Sequence, residues 1–331
     1  MVSLIGPVPP SFQVAQTRGH LRRKEDMVAE GISKTAAQGL TPEQVKSFQE
    51  NGFIGPFDLY SEDEARLHWN QAMIEMVTSR NKPHESTIIN YDRHLDCDTL
   101  SRHIAHPTVV HKLRSLMGDD IICWKTNIFE KQPGEAGTGW HQVEAFTVFE
   151  SESVAYPSLR YTEESTAATQ ELTVWTAFSE ADEEHGCLRF IPGSHKKWYY
   201  DETKPMSRNV ESKSHDFFGY DYSELKLDAD WDPDAGEIVT MPMKPGQFVI
   251  FLAKCIHGSL PNVSDTKRLG LATRYVSPSV RVYEHIDSLS GFGDAISLDY
   301  HGSVLVSGED RWGHNRIHTE NLNGFPFPKV D

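Results

Sequence analysis

Residues 121–129, Ile-Ile-Cys-Trp-Lys-Thr-Asn-Ile-Phe, begin the part of the chain that decides the fold. From here the sequence consists of short runs rich in β-branched and aromatic residues, separated by Gly, Pro and Asp, a pattern typical of strands joined by turns. The further candidate strands are Glu171–Phe178, Cys187–Ile191, Glu237–Met241, Gln247–Phe251 and Gly270–Val276. Many short strands predict a mainly β fold, a double-layered barrel or jelly roll, rather than βαβ units.

The residues before this stretch predict a helical decoration of the β core. Helices are expected from Thr41 to Gly52, from Ser61 to about Ser79, and from Pro107 to Gly118. The first two begin with a Thr or Ser that is followed three residues later by Gln44 or Glu64, which is the signature of a capping box. Leu67, Ile74 and Val77 fall roughly on one face of the second helix, as in an amphipathic helix.

The domain organisation is predicted from length and composition. A chain of 331 residues is compatible with one elaborated domain or with two. Residues 1–38 mix Pro, Gly, Gln and charges without a sustained period, so we expect a flexible N-terminal extension there. Residues 39–331 are expected to form one ordered domain.

The net charge of −16 and the four cysteines limit the classes of partner. Because an acidic chain repels nucleic acid and anionic lipid, we expect a small molecule or a protein instead. The cysteines form no CxxC pair, which predicts reduced, mostly buried thiols rather than a zinc site or a disulfide framework.

The N-terminal apolar run is too short for a signal-peptide core and no segment approaches the ~20 apolar residues of a membrane span, so a soluble cytoplasmic protein is expected.

Two of the sixteen histidines stand out by their context. His141 follows a glycine-rich approach, and His257 comes at the end of the apolar stretch that begins at Gln247. Histidines at such positions can converge at one mouth of a barrel and bind a metal through their imidazole nitrogens. The local pattern alone leaves two ordinary histidines as the alternative.

Two arginines, Arg268 and Arg274, lie in a stretch that is expected to be a strand. Residues of the same parity face the same side of a strand. An arginine buried in a barrel needs an anionic partner, because an unpaired buried charge costs several kcal/mol. A dicarboxylate ligand would provide such a partner through a bidentate pair, and a salt bridge to Asp or Glu is the alternative.

Longer motifs of the chain resemble those of the phytanoyl-CoA dioxygenase superfamily. Residues 186–195, Gly-Cys-Leu-Arg-Phe-Ile-Pro-Gly-Ser-His, are similar to its G-x-L-x-x-x-P-G-S-H element, and residues 245–259 are similar to its distal-histidine strand. More narrowly, the chain resembles the non-haem iron halogenases of this superfamily, the group of the threonine chlorinase of syringomycin biosynthesis. The segments shared with that group are residues 51–57, 90–95, 137–142, 173–178, 217–222 and 268–275.

The resemblance implies a double-stranded β-helix core, jelly-roll or cupin-like, that binds Fe(II) and 2-oxoglutarate and uses O2. By position, His141 and His257 would be the imidazole ligands, and residues 39–331 the oxygenase domain. Arg268 would hold the far carboxylate of 2-oxoglutarate, assisted by Thr138 and Trp175. The remaining pocket residues implied by the resemblance are Val143, Phe146, Thr173 and Arg274, while His195 is expected to be structural.

The third ligand position departs from the usual pattern. Ordinary members place a carboxylate two residues after the first histidine, whereas this chain has Val143, which has no lone pair. The resembled halogenases have a small residue there and bind chloride, so chloride is a candidate further ligand. Val143 is larger than that residue, and Val148 and Asn127 replace polar or acidic pocket residues of the group. Glu144 is the alternative ligand, although a one-residue offset turns it to the other face of a strand unless a bulge intervenes.

These expectations leave three classes of function. The first is a halogenase-like oxygenase that activates an aliphatic C–H bond of an amino acid, free or tethered to a peptidyl carrier protein, in specialised metabolism. The second uses the same iron centre for hydroxylation, desaturation or oxidative cyclisation. The third is a family member without turnover.

Overall fold

A computed structural model of the protein describes residues 38–84, 90–142, 158–162, 171–201, 222–291 and 294–331. Its α-helices are α1 (Pro42–Asn51), α2 (Glu62–Thr78), α3 (Asp98–His103) and α4 (Pro107–Met117). The capping boxes of α1 and α2 are formed as predicted: Thr41 accepts from the Gln44 N–H and Ser61 accepts from the Glu64 N–H. Helix α1 ends at Gly52, whose φ of 86° is the left-handed conformation that favours glycine.

Fourteen strands are present in the described ranges. In chain order they are β1 (Phe53–Asp58), β2 (Ile121–Lys131), β3 (Thr138–His141), β4 (Leu159–Arg160), β5 (Leu172–Ala177), β6 (Leu188–Phe190), β7 (Val239–Met241), β8 (Gln247–Leu252), β9 (His257–Ser259), β10 (Arg268–Val276), β11 (Arg281–Val282), β12 (Ser288–Gly291), β13 (Asp294–Ser297) and β14 (Val304–Ser307). The mainly β fold is confirmed, and the six predicted strands correspond to β2, β5, β6, β7, β8 and β10.

Two antiparallel sheets position the site. The large sheet has the order β1-β8-β5-β10-β2-β14, and the small sheet has the order β3-β9-β6-β7. Their inner faces share one hydrophobic core. Phe190 of β6 and Phe251 of β8 meet there, for example, with ring centroids 5.2 Å apart. This pairing of sheets is the double-layered jelly-roll arrangement.

Helix α2 buries a different face from the one that its large aliphatic residues mark. Leu67, Ile74 and Val77 are 68%, 59% and 75% exposed. The buried face carries Ala65, Trp69, Ala72 and Met76 instead. It packs on Leu269 and Leu271 of β10. The small alanines allow the helix backbone to approach the sheet while the indole fills the remaining space, so burial here follows shape complementarity rather than hydropathy.

The cysteines agree with the sequence prediction, since Cys97, Cys123, Cys187 and Cys255 are all free and buried. No helix within the described ranges is long and apolar enough to cross a membrane. The predicted extension at residues 1–38 lies almost wholly outside the described residues, so the domain boundary stays a prediction.

Candidate active site

A cavity of about 660 Å3, which includes its mouth toward solvent, lies between the two sheets. Residues from both sheets line it. The small sheet contributes Thr138, His141, Leu188, His257, Gly258 and Ser259, and the large sheet contributes Phe129, Thr173, Trp175, Phe251, Arg268, Ala272 and Arg274. The structure therefore brings together all the predicted site residues that it describes.

The two histidines are neighbours across β3 and β9. His141 lies directly opposite His257 in the antiparallel pair, and their ring centroids are 4.2 Å apart. Each ring bonds through Nδ1 to the carbonyl two residues earlier, His141 to Gly139 at 2.8 Å and His257 to Cys255 at 2.8 Å. With Nδ1–H as the donor, the lone pair of each ring is on Nε2, which is the arrangement found in metal-bound histidines.

The electrostatics of the pair also suit a metal. Burial lowers the pKa of His257 to about 4 and lowers that of His141 well below its usual value. The nearby Arg274 guanidinium lowers both pKa values further. Both rings are therefore neutral at physiological pH, and the neutral imidazole is the form that coordinates a metal.

Gln142, the residue after His141, fixes the end of β3. Its side chain is fully buried and donates to the carbonyls of Lys197 at 2.9 Å and Lys254 at 3.0 Å. Its Oε1 accepts from the Tyr199 N–H at 3.0 Å. The sequence alone predicts no role for Gln142, although a polar residue adjacent to a proposed ligand is a recognisable signal for a supporting contact.

Arg268 lies in the cavity without a carboxylate. Within the described residues it has no acidic partner at ion-pair distance, it donates to the Gly186 carbonyl, and its buried Nε has no acceptor. Its guanidinium lies 5.2 Å from the ring centroid of Trp175. Burial lowers the pKa of Arg268 to about 10, which leaves it charged at neutral pH.

Arg274 has a different environment on the same strand. Its Nε lies 3.4 Å from Oε1 of Glu171, and its guanidinium donates to the Asn127 side chain. Glu171, which is buried, immediately precedes β5. The salt bridge that was the sequence alternative is therefore present at Arg274. Glu171 was missed because the pairing of β5 with β10, which brings the two residues together, is not visible in a single sequence.

The third ligand position is not described. Val143, Glu144, Phe146 and Val148 all lie outside the described residues. Within the ranges that are described, no group of three or more His, Cys, Asp or Glu side chains is arranged to hold a metal. The two histidines are thus the candidate metal ligands that the described residues bring together.

The described residues fit the groups that the resemblance implies. Two imidazoles with their lone pairs on Nε2 suit Fe(II), whose non-haem sites use histidine nitrogens. The orphaned Nε of buried Arg268 suits one carboxylate of a dicarboxylic acid, because guanidinium groups bind carboxylates in a planar, bidentate geometry. Trp175 and Thr138 line the same cavity.

Comparison with known proteins agrees with this geometry. A probable alpha-ketoglutarate-dependent hypophosphite dioxygenase of Stutzerimonas stutzeri is 30% identical over 184 residues, which cover 56% of this chain and 55% of that protein. The ectoine dioxygenase of Bordetella bronchiseptica is 24% identical over 77% of this chain and 80% of its own length. The solved structure of CytC3 with Fe(II) and alpha-ketoglutarate superimposes with a TM-score of 0.66 at 32% identity, covering 89% of this chain and 98% of that chain.

The family model for phytanoyl-CoA dioxygenase (PhyH) matches residues 48–270. This range includes α2 to α4, the histidine pair and Arg268. The match covers more than half of the chain, and it contains both of the candidate metal-binding histidines and the arginine that fits a carboxylate. The chain therefore belongs to the phytanoyl-CoA dioxygenase family.

Proposed function

We propose that the cavity is the site of an Fe(II)- and 2-oxoglutarate-dependent reaction at an aliphatic C–H bond of an amino-acid-like substrate, with a halogenase-like outcome. Family membership makes the chain an enzyme of the Fe(II)/2-oxoglutarate-dependent oxygenases, as the sequence predicts. The observation that carries the proposal is the neutral histidine pair in one cavity with Arg268, which has no carboxylate partner within the described residues.

Each described residue has a role in the proposed chemistry. His141 and His257 would hold the iron through Nε2, and Arg268 would hold the far carboxylate of 2-oxoglutarate, with Thr138 and Trp175 shaping its binding site. Fe(II) and 2-oxoglutarate supply, with O2, an oxidant able to remove a hydrogen atom from an unactivated C–H bond. Phe129, Phe251 and Leu188 present apolar surface to the cavity and exclude water from it.

The halogenase-like outcome rests on the third ligand position. Val143 offers no lone pair, so a halide is a candidate for the coordination place that a carboxylate occupies in ordinary members. Glu144 remains the protein ligand that would compete with it.

A second candidate, hydroxylation or oxidative cyclisation, is favoured by the surroundings of Arg274. Its guanidinium is engaged by Glu171 and Asn127, so less of its positive charge is available to attract a halide. In this version a water molecule or the substrate fills the vacant place.

Reconstitution separates the two candidates. The full-length protein is loaded anaerobically with Fe(II), 2-oxoglutarate and chloride or bromide, exposed to O2, and tested with free amino acids and aminoacyl carrier proteins. Succinate release and product masses are measured with and without halide. Halogenated products support the first candidate, hydroxylated or cyclised products alone support the second, and succinate release that no substrate stimulates contradicts both.

A further inference from the structure

Beside Arg274, which lines the cavity, lies a second cation, Lys125 of β2. Lys125 lies directly opposite Arg274 in the antiparallel β2–β10 pair, and it is only 7% exposed. Like charges at directly opposite positions of two strands destabilise a sheet, and burial increases that cost. A fold that keeps such a pair has a compensating feature at this position.

The compensation visible in the structure covers only one of the two charges. Glu171 lies 3.4 Å from Arg274. Asp92, the other carboxylate that acts on Lys125, is bonded to His84 at 3.0 Å and to the Thr126 N–H at 3.1 Å. In the described part of the chain, Nζ of Lys125 has no hydrogen-bond acceptor and no carboxylate at ion-pair distance.

The surroundings of Lys125 keep its ammonium in place. Its Nζ lies 5.3 Å from the ring centroid of Tyr91 and 5.5 Å from that of Trp124, distances typical of cation–π contacts. Burial and Arg274 lower the pKa of Lys125 to about 8, while Asp92 and Glu171 oppose this shift, so the group is mostly protonated at neutral pH.

Strand geometry places Lys125 on the face of β2 that borders the cavity. The β2–β10 register is continuous from Lys125 to Lys131, so Lys125, Asn127 and Phe129 share one face of β2. Phe129 lines the cavity, and Asn127 accepts from Arg274, which also lines it. Lys125 is therefore the next cation along the face that borders the cavity at the end away from Arg268.

We propose that the Lys125 ammonium binds the carboxylate of the substrate, so that the substrate is a free amino acid or another free carboxylate rather than an acyl group held as a thioester. This inference rests on the proposed function and narrows its substrate class. The carboxylate of the substrate would supply the anion that the Lys125–Arg274–Glu171 group lacks. Arg268 would serve the cosubstrate separately, which keeps the two carboxylates at different ends of the cavity.

The test uses reconstituted full-length enzyme with three matched sets of compounds: free amino acids, their methyl esters, and the same amino acids on a carrier protein. We expect succinate release to be stimulated by one or more free acids and not by the corresponding esters or thioesters. Lys125→Met should raise the KM for the free acid about 10- to 100-fold, while the KM for 2-oxoglutarate stays within about twofold. Lys125→Arg should restore part of the loss.

Stability distinguishes substrate binding from a structural role. Because Nζ of Lys125 has no ion-pair partner in the ranges that the structure describes, Lys125→Met should leave the melting temperature unchanged or raise it. A large fall in melting temperature, preserved KM, or a lack of response to every free acid would each overturn the assignment. Lys112→Met is the matched control: Lys112 also lies over an aromatic ring, 4.8 Å from the centroid of Phe57, and neither Lys112 nor Phe57 lines the cavity.

The proposed function is tested separately, by measuring the visible absorbance of the anaerobic Fe(II)–2-oxoglutarate complex. That complex forms without substrate, so its absence in the unmodified enzyme would contradict the proposed function. Its presence in the unmodified enzyme and its loss in Lys125→Met would contradict the role given to Lys125.

Discussion

Arg268 and Arg274 project from the same face of β10 into one cavity, and among the described residues only Arg274 has a carboxylate at ion-pair distance. Arg274 has Glu171 at 3.4 Å and the Asn127 side chain as acceptor. Arg268 has the Gly186 carbonyl, the Trp175 ring and an unsatisfied Nε. Removing one member of a buried ion pair leaves the other charge uncompensated and destabilises the fold, whereas a charge without a partner in the chain is available to a ligand. The difference predicts that the two arginines affect different measurements.

The largest effect is expected at the histidine pair that lies between these ends. His257→Ala removes one imidazole, so iron affinity should fall by more than about 100-fold and 2-oxoglutarate turnover should be lost. Anaerobic titration with Fe(II) measures the first effect and succinate release measures the second. His68→Ala, on α2, is the control. Retained turnover in His257→Ala would show that the metal lies elsewhere.

The second largest effect is expected from a substitution of Arg268. Arg268→Met should raise the KM for 2-oxoglutarate about 100-fold, because a charged hydrogen-bonded contact to a carboxylate is lost. Since no carboxylate of the described chain is left unpaired, the free energy of unfolding should not fall. Steady-state kinetics and urea denaturation measure the two quantities. A loss of stability without a change in KM would reverse the comparison.

A stability effect is expected at the Arg274 end. Arg274→Met leaves Glu171 buried beside no arginine, which should lower the free energy of unfolding by about 2 kcal/mol; fully buried pairs lose more, and the Arg274 side chain is 18% exposed. The double variant with Glu171→Gln should recover most of that loss, as a double-mutant cycle in urea would reveal. If the losses in free energy of unfolding of the two single variants simply add in the double variant, Arg274 and Glu171 do not interact as described.

The smallest effect is expected from a substitution that moves the indole beside Arg268. A Cβ on Gly270 would lie 1.9 Å from Cζ2 of Trp175, so Gly270→Ala must move the indole that lies beside Arg268. We expect the KM for 2-oxoglutarate to rise about tenfold and the free energy of unfolding to fall by about 1 kcal/mol. Gly236→Ala is the control, because nothing lies within 4 Å of its added Cβ. An unchanged KM would mean that Trp175 does not shape the cosubstrate site.

Local rules predicted much of the fold. The caps at Thr41 and Ser61 depend on residues three positions apart, and the strands from Ile121 onward depend on composition within a few residues, so both are readable from the sequence. Strand β9, which carries His257, has only three residues and gives no periodic signal of its own. The buried face of α2 also escaped prediction, because it is chosen by the shape of the sheet beneath it.

The residues of the candidate site also fall into two groups, those that the sequence predicts and those that only the folded structure brings together. The histidines and Arg268 were identified from motifs and resemblance. Glu171 and Lys125 are brought together by strand register, because each lies opposite or beside Arg274 only after β2, β5 and β10 have paired. Charged residues on an inward-facing strand position are the signal that points to such partners, and Lys125 has that signal in its alternation with Asn127 and Phe129.

The bonds from Nδ1 of each histidine to its own backbone have an evolutionary consequence. His141 is aimed by the Gly139 carbonyl and His257 by the Cys255 carbonyl, so each ring is held by the backbone close to it in the chain. A main-chain carbonyl is present whatever side chain its residue carries, so substitutions of the side chains around the pair leave these two acceptors in place. A lineage built on this scaffold can therefore vary the surroundings of the two rings while it inherits the bonds that orient them.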